Sequence, residues 1–134
     1  LKRTGEQCGV PITIENTPDP FPFLLKTTED FVRFYESLDD VDVGLTLDVG
    51  HANINGQING FIAKFHERIV HMHLHDNHGD FDSHLGIGQG DIDWTKVIEM
   101  LKNVGYKGTL VVESEKNVEE SLQKLRTLLR SIQP

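Results

Sequence analysis

The sequence predicts an α/β protein built from four parallel βα units, half of an eight-stranded (β/α)8 barrel. Three observations carry this. Short β-branched stretches alternate with helical stripes in the order β-α-β-α-β-α-β-α along the 134 residues, a pattern that calls for parallel strands joined by helices. Side chains alternate across a strand, and all four strands have one apolar parity class and one mostly polar class. On every strand the polar class ends in a carboxylate or an imidazole.

The elements follow in order. LKRTGEQCG reads as the tail of a helix stopped by Gly9, so the chain is expected to be part of a longer polypeptide. VPITIE (10–15) is the first strand, and NTPDPFP (16–22), with three prolines, is loop. Thr27 or Thr28 caps a helix through about Leu38, with Phe31, Phe34, Tyr35 and Leu38 on one face. VGLTLDV (43–49) is the second strand, and Ile58, Phe61, Ile62 and Phe65 form the next helical stripe. Ile69 to His75 is the third strand. Trp94, Val97, Ile98 and Leu101 mark a helix capped by Asp93 and stopped at Gly105. TLVVE (109–113) is the fourth strand. Val118, Leu122, Leu125 and Leu129 mark a last helix, with Asn117 as its cap.

The apolar parity class holds Ile12 and Ile14, Leu45 and Leu47, Met72 and Leu74, Leu110 and Val112. The other class runs Thr13–Glu15, Thr46–Asp48, His71–His73–His75 and Thr109–Val111–Glu113. Parallel strands present their C-terminal ends on one side, where active sites sit. Four strands thus deliver potential ligands to one end and one face, which predicts a composite metal site looking into a lumen. Four βα units alone leave two unpaired edges, so either an N-terminal half or a second copy is expected to complete the barrel.

Between Ile69 and Asp93 the metal-capable side chains are densest. Histidines 71, 73, 75, 78 and 84 fall within 14 residues, with Asp76, Asp80 and Asp82 among them. Neutral imidazole and carboxylate are the usual ligands of Zn, Mn, Fe or Co. Acidic residues outnumber basic ones 21 to 13, giving a net charge of -8, which argues against a broad nucleic-acid-binding face. Cys8 is the single cysteine, so no internal disulfide forms. With neither a signal peptide nor an apolar run of membrane length in the sequence, a cytoplasmic protein with no membrane partner is expected.

ITIENT (12–17), LDVGH (47–51), HMHLHDN (71–77), DSHLGIGQGDIDW (82–94) and LVVE (110–113) together resemble, in order and spacing, the xylose isomerase-like TIM barrel superfamily. That group holds sugar and sugar-phosphate isomerases and epimerases, and also the endonuclease IV-like abasic-site nucleases (AP endonuclease family 2). The resemblance implies that residues 1–134 are the C-terminal half of such a barrel, strands five to eight, with the N-terminal half absent from this chain. It implies that Glu15, Asp48, His73 and Glu113 hold one divalent metal (Mn, Zn, Co or Mg), with Glu15 and Glu113 also the acid/base pair. It makes His51, Asp82 and His84 candidates for a second metal or for substrate contact. His75, on the polar face of the same strand as His73, reads as a support around the ligands.

The activity implied is metal-dependent isomerisation or epimerisation of a sugar or sugar phosphate. The alternative is a zinc phosphodiesterase acting on abasic DNA. PDPFPF after Thr17, ANINGQ after His51 and the short loop between His73 and Asp82 depart from the nuclease pattern and favour the first. Plainer readings exist for single residues. A strand-end carboxylate often caps the next helix, and His51 could serve only a loop carbonyl. His71 reads as a lumen filler, His66, His78 and Asp80 as exposed, and Trp94 as helix core. Gly86, Gly88 and Gly90 read as a loop folded over the site, with phosphate capture the lesser reading.

Overall fold

The computed structural model describes residues 9–38 and 43–131. Four strands, β1 (Thr13–Glu15), β2 (Gly44–Asp48), β3 (Ile69–Leu74) and β4 (Thr109–Val112), form one sheet in the order β1-β2-β3-β4. Every pairing is parallel. The helices are α1 (Thr28–Glu36), α2 (Val49–Ile54), α3 (Ile58–Phe65), α4 (Trp94–Asn103) and α5 (Val118–Ser131). This is the half-barrel arrangement read from the sequence.

Local signals set most boundaries. Thr27 caps α1 in a capping box: its hydroxyl accepts from Asp30 N, and the Asp30 carboxylate accepts from Thr27 N. Asp93 caps α4 by accepting from Lys96 N, and the chain leaves that helix at Gly105 with φ 68°. The apolar strand class packs outward under the helices. Leu45, Leu47, Met72 and Leu74 are sealed against Phe31, Phe61, Ile62, Val97, Ile98 and Leu101. Burying one such side chain stabilises the fold by about 1.5–3 kcal/mol relative to leaving it exposed.

Four expectations change. β1 is only three residues long, because its register with β2 begins at Thr13↔Gly44 and Pro11 has no N–H to donate. A short helix the sequence reading left out, α2, follows β2 directly. It is too short for an apolar stripe, and Asp48 starts it by accepting from His51 N at 2.7 Å. Asn117 is not a side-chain cap: it has φ 57°, and its amide donates to Gln89 Oε1 at 3.2 Å. On α5 the buried face is Ser121 and Leu125, while Val118 and Leu129 are exposed. The face is rotated because the Ser121 hydroxyl is drawn inward to accept from Ile87 N at 3.0 Å. The helix proposed before Gly9, and Cys8, lie outside the described residues. Among the described residues no helix is long and apolar enough to cross a membrane.

Candidate metal centre and active site

The polar strand class meets at the C-terminal end of the sheet, as its parity requires. His73 Nδ1 lies 3.5 Å from Glu15 Oε1, 3.8 Å from Asp48 Oδ2 and 3.4 Å from Glu113 Oε2. Four strands thereby bring three carboxylate oxygens within 3.8 Å of one nitrogen. An Nδ1–H can point at only one oxygen, and all three lie beyond the usual 2.7–3.2 Å of an N–H···O bond. His73 Nδ1 and Asp48 Oδ2 are buried and have no hydrogen-bond partner. Tetrahedral ligands about 2.0–2.1 Å from one ion stand roughly 3.3 Å apart. Asp48, His73 and Glu113 offer ligand atoms that all lie within 4.8 Å of one another, as do Glu15, Asp48 and His51, so spacing, donor chemistry and the orphaned atoms suit a divalent cation here.

Exposure divides their labour. Asp48 is 0% exposed, whereas Glu15 and Glu113 keep 39% and 33% of their side chains open. Glu15 lines a cavity of about 560 Å³ on the open side of the sheet, together with Thr13, Thr46, His71 and His73. Burial pushes the Glu15 carboxyl above its ordinary range. His73 and His51 oppose that shift, and the Asp48 and Glu113 carboxylates add to it.

Asp48 serves twice, as ligand candidate and as the cap of α2. Its Oδ1 accepts from His51 N and from His75 Nε2 at 3.0 Å. Burial alone would raise the Asp48 carboxyl, but the hydrogen bond and charge of His75, with help from His51, hold it below the ordinary value. His75 thus bonds directly to Asp48, and its ring is fully buried. A Cβ on Gly50 would come within 2.0 Å of that ring, so only glycine lets α2 start beside it. Sequence reasoning missed Asn16. Its side chain accepts from Asp48 N at 2.8 Å and donates to Asp48 O at 2.9 Å, clamping the end of β2 to β1. The available signal was an amide next to Glu15 at a strand end.

His51, Asp82 and His84 form a second cluster beside the first. The Asn16 carbonyl can only accept, so His51 Nδ1 at 2.8 Å carries the proton and Nε2 offers its lone pair. The Glu113 carbonyl fixes His84 in the same way, with Nδ1 at 2.9 Å. Asp82 then faces both lone pairs, Oδ2 at 3.3 Å from His51 Nε2 and Oδ1 at 3.4 Å from His84 Nε2. Lone pairs facing carboxylate oxygens repel unless a cation or proton lies between them. The His84 ring stacks on His75 at 3.8 Å, and the backbone at His84 has φ 43°.

Other candidates stay apart from these clusters. His71 lines the cavity below His73, their ring centroids 5.1 Å apart. His78 is exposed and pairs with Asp91 at 3.2 Å. Trp94 is helix core, as read. The glycine run does fold into a tight loop, but the amides at its centre are taken: Gly86 N donates to Gln89 Oε1 at 3.2 Å, Ile87 N to Ser121 Oγ at 3.0 Å and Gly88 N to Asp76 Oδ2 at 2.7 Å. The phosphate-capture reading is thereby corrected, because the loop already encloses a carboxylate of its own chain.

Fold and site together define a parallel βα half-barrel whose strand ends build a carboxylate–histidine centre suited to a divalent ion. The family model describing xylose isomerase-like TIM barrels matches residues 1–132, and the chain belongs to that family. It is 36% identical over 127 residues to an uncharacterized protein of Methanocaldococcus jannaschii, covering 92% of this chain and 43% of that protein. It is 30% identical over 114 residues to the D-psicose 3-epimerase of Ruminiclostridium cellulolyticum, covering 84% of this chain and 37% of that enzyme. The crystal structure of a D-tagatose 3-epimerase-like protein matches with a TM-score of 0.88 at 32% identity, over 97% of this chain and 51% of that one. The chain thus spans about half the length, or less, of the relatives it matches.

Proposed function

We propose that this half-barrel carries the metal centre of a divalent-metal-dependent sugar or sugar-phosphate isomerase or epimerase. The convergence of Glu15, Asp48, His73 and Glu113, with Asp48 sealed and the two glutamates the most exposed of the four, supports the reading most strongly. The D-psicose 3-epimerase among its relatives supports the sugar-epimerase class. A bound Mn, Zn, Co or Mg ion supplies polarisation of a carbonyl and acidifies the adjacent C–H. Asp48 and His73 hold position, Asp48 because it is buried and clamped by Asn16. Glu15 and Glu113 approach from β1 and β4, and one removes the proton that the same or the opposite carboxylate returns. β1 and β4 are the outer strands of the described sheet, and in this reading an N-terminal half or a second copy pairs with them and closes the lumen.

The His51–Asp82–His84 cluster supports a second reading, a zinc phosphodiesterase with additional ions. Elemental analysis of the intact protein separates the two. One ion per chain is expected from the isomerase reading, whereas two or three zinc ions move the assignment to phosphodiester cleavage of abasic DNA. No ion removes both readings. Burial keeps a proton on Glu15 above the ordinary carboxylate range, and an incoming ion must displace it. Affinity is therefore expected to rise with pH through the Glu15 titration and then level off; affinity independent of pH contradicts the assignment of Glu15 as a ligand.

A further inference from the structure

We propose that Asp76 is a positioning residue. It is the internal anion around which residues 77–94 wrap, and through that loop it sets where Asp82 and His84 stand. The inference rests on the proposed function only for its catalytic consequence. Asp76 is fully buried although it lies within the histidine-rich run. Its Oδ1 accepts from Asn77 N at 3.0 Å and Ile92 N at 3.2 Å. Its Oδ2 accepts from Gly88 N at 2.7 Å and from the Trp94 indole N–H at 2.8 Å. Its backbone exchanges two 2.9 Å bonds with Leu85, the residue next to His84. One residue thus ties the exit of β3 to the loop at positions 85, 88 and 92 and to the first residue of α4.

The glycines make room for this. A Cβ on Gly90 would lie 2.4 Å from Asp76 Oδ1 and 2.3 Å from Asn77 O. With the loop held, His84 keeps its left-handed backbone, its bond to the Glu113 carbonyl and its stack on His75. Glu113 itself lies beside His73, and His75 bonds Asp48. Loosening the loop therefore changes Asp82 and His84 directly and the glutamate strand end through them.

Asp76→Asn tests this in the intact protein. Each carboxylate oxygen accepts two N–H donors, so an amide presents its NH2 to donors in either orientation. Backbone hydrogen exchange of residues 82–92 is expected to accelerate at least about tenfold, with β3 unchanged. The emission of Trp94, the chain's single tryptophan, is expected to shift. Unchanged protection of 82–92, or equal loss in β3, overturns the proposal. Ketose kcat/KM is expected to fall at least about tenfold, with no further fall when Asp76→Asn is added to His84→Ala. A full additional loss in that background overturns the positioning role. Should Asp76→Asn fail to fold, Trp94→Phe removes one donor only. Faster exchange in the same segment then supports the proposal, and unchanged exchange overturns it. A wild type that turns over no ketose defeats the functional reading, while the exchange result still decides the latch.

Discussion

Glu113→Gln is expected to lower turnover by about 10³-fold while leaving an ion bound, a loss within the range for removing a general acid or base. The amide matches the carboxylate in size and keeps one acceptor oxygen beside His73 Nδ1, now 3.4 Å from Oε2. What it lacks is the capacity to take and return a proton. Metal content measured on the same preparation separates the two roles of Glu113. Turnover near the wild-type level with metal retained removes Glu113 from the proton transfer. Loss of the ion instead assigns it chiefly to holding metal.

Asp48→Ala is expected to abolish metal binding and also to destabilise the fold, because this carboxylate does three things. It offers Oδ2 to the centre, caps α2 at His51 N and receives the His75 Nε2–H. Losing a side-chain cap costs about 1 kcal/mol. Leaving the buried His75 donor without an acceptor costs about 1–3 kcal/mol more. A shift of a few kcal/mol in denaturant unfolding, together with loss of the ion, is the expected outcome. An Asp48→Ala protein that unfolds like the wild type and still holds metal would show that Asp48 is neither ligand nor anchor. Asn16→Ala serves as a companion, since it removes the clamp on Asp48 and leaves every proposed ligand in place.

How far the site could be read from the sequence follows from what parity can and cannot encode. Period-two alternation on four parallel strands was enough to place Glu15, Asp48, His73 and Glu113 on one face and at one end, and their side chains do meet there. Stripes of the kind Phe61–Ile62–Phe65 located the helices, because burying one face requires that spacing. Short-range and non-periodic features were not legible. The six-residue helix α2 has no stripe, and the rotation of α5 depends on a serine hydroxyl reaching an amide in another loop. Asn16 and Asp76 act through bonds to residues 32 and 16 positions away, which no local pattern announces. Phosphate capture survives as a lesser reading of the glycine run because the sequence does not show that Asp76 fills the loop.

The central claim is proton transfer at a carbon beside a carbonyl, performed by Glu15 and Glu113 at a metal-loaded centre. The most direct measurement incubates the intact, metal-loaded protein with unphosphorylated and phosphorylated ketoses in deuterated water and follows deuterium at the carbon next to the carbonyl. Metal-dependent incorporation at one stereocentre, lost in Glu113→Gln and in chelator-treated protein, is the predicted result. Turnover without solvent exchange at that carbon, or incorporation that persists after the metal is removed, would contradict the account.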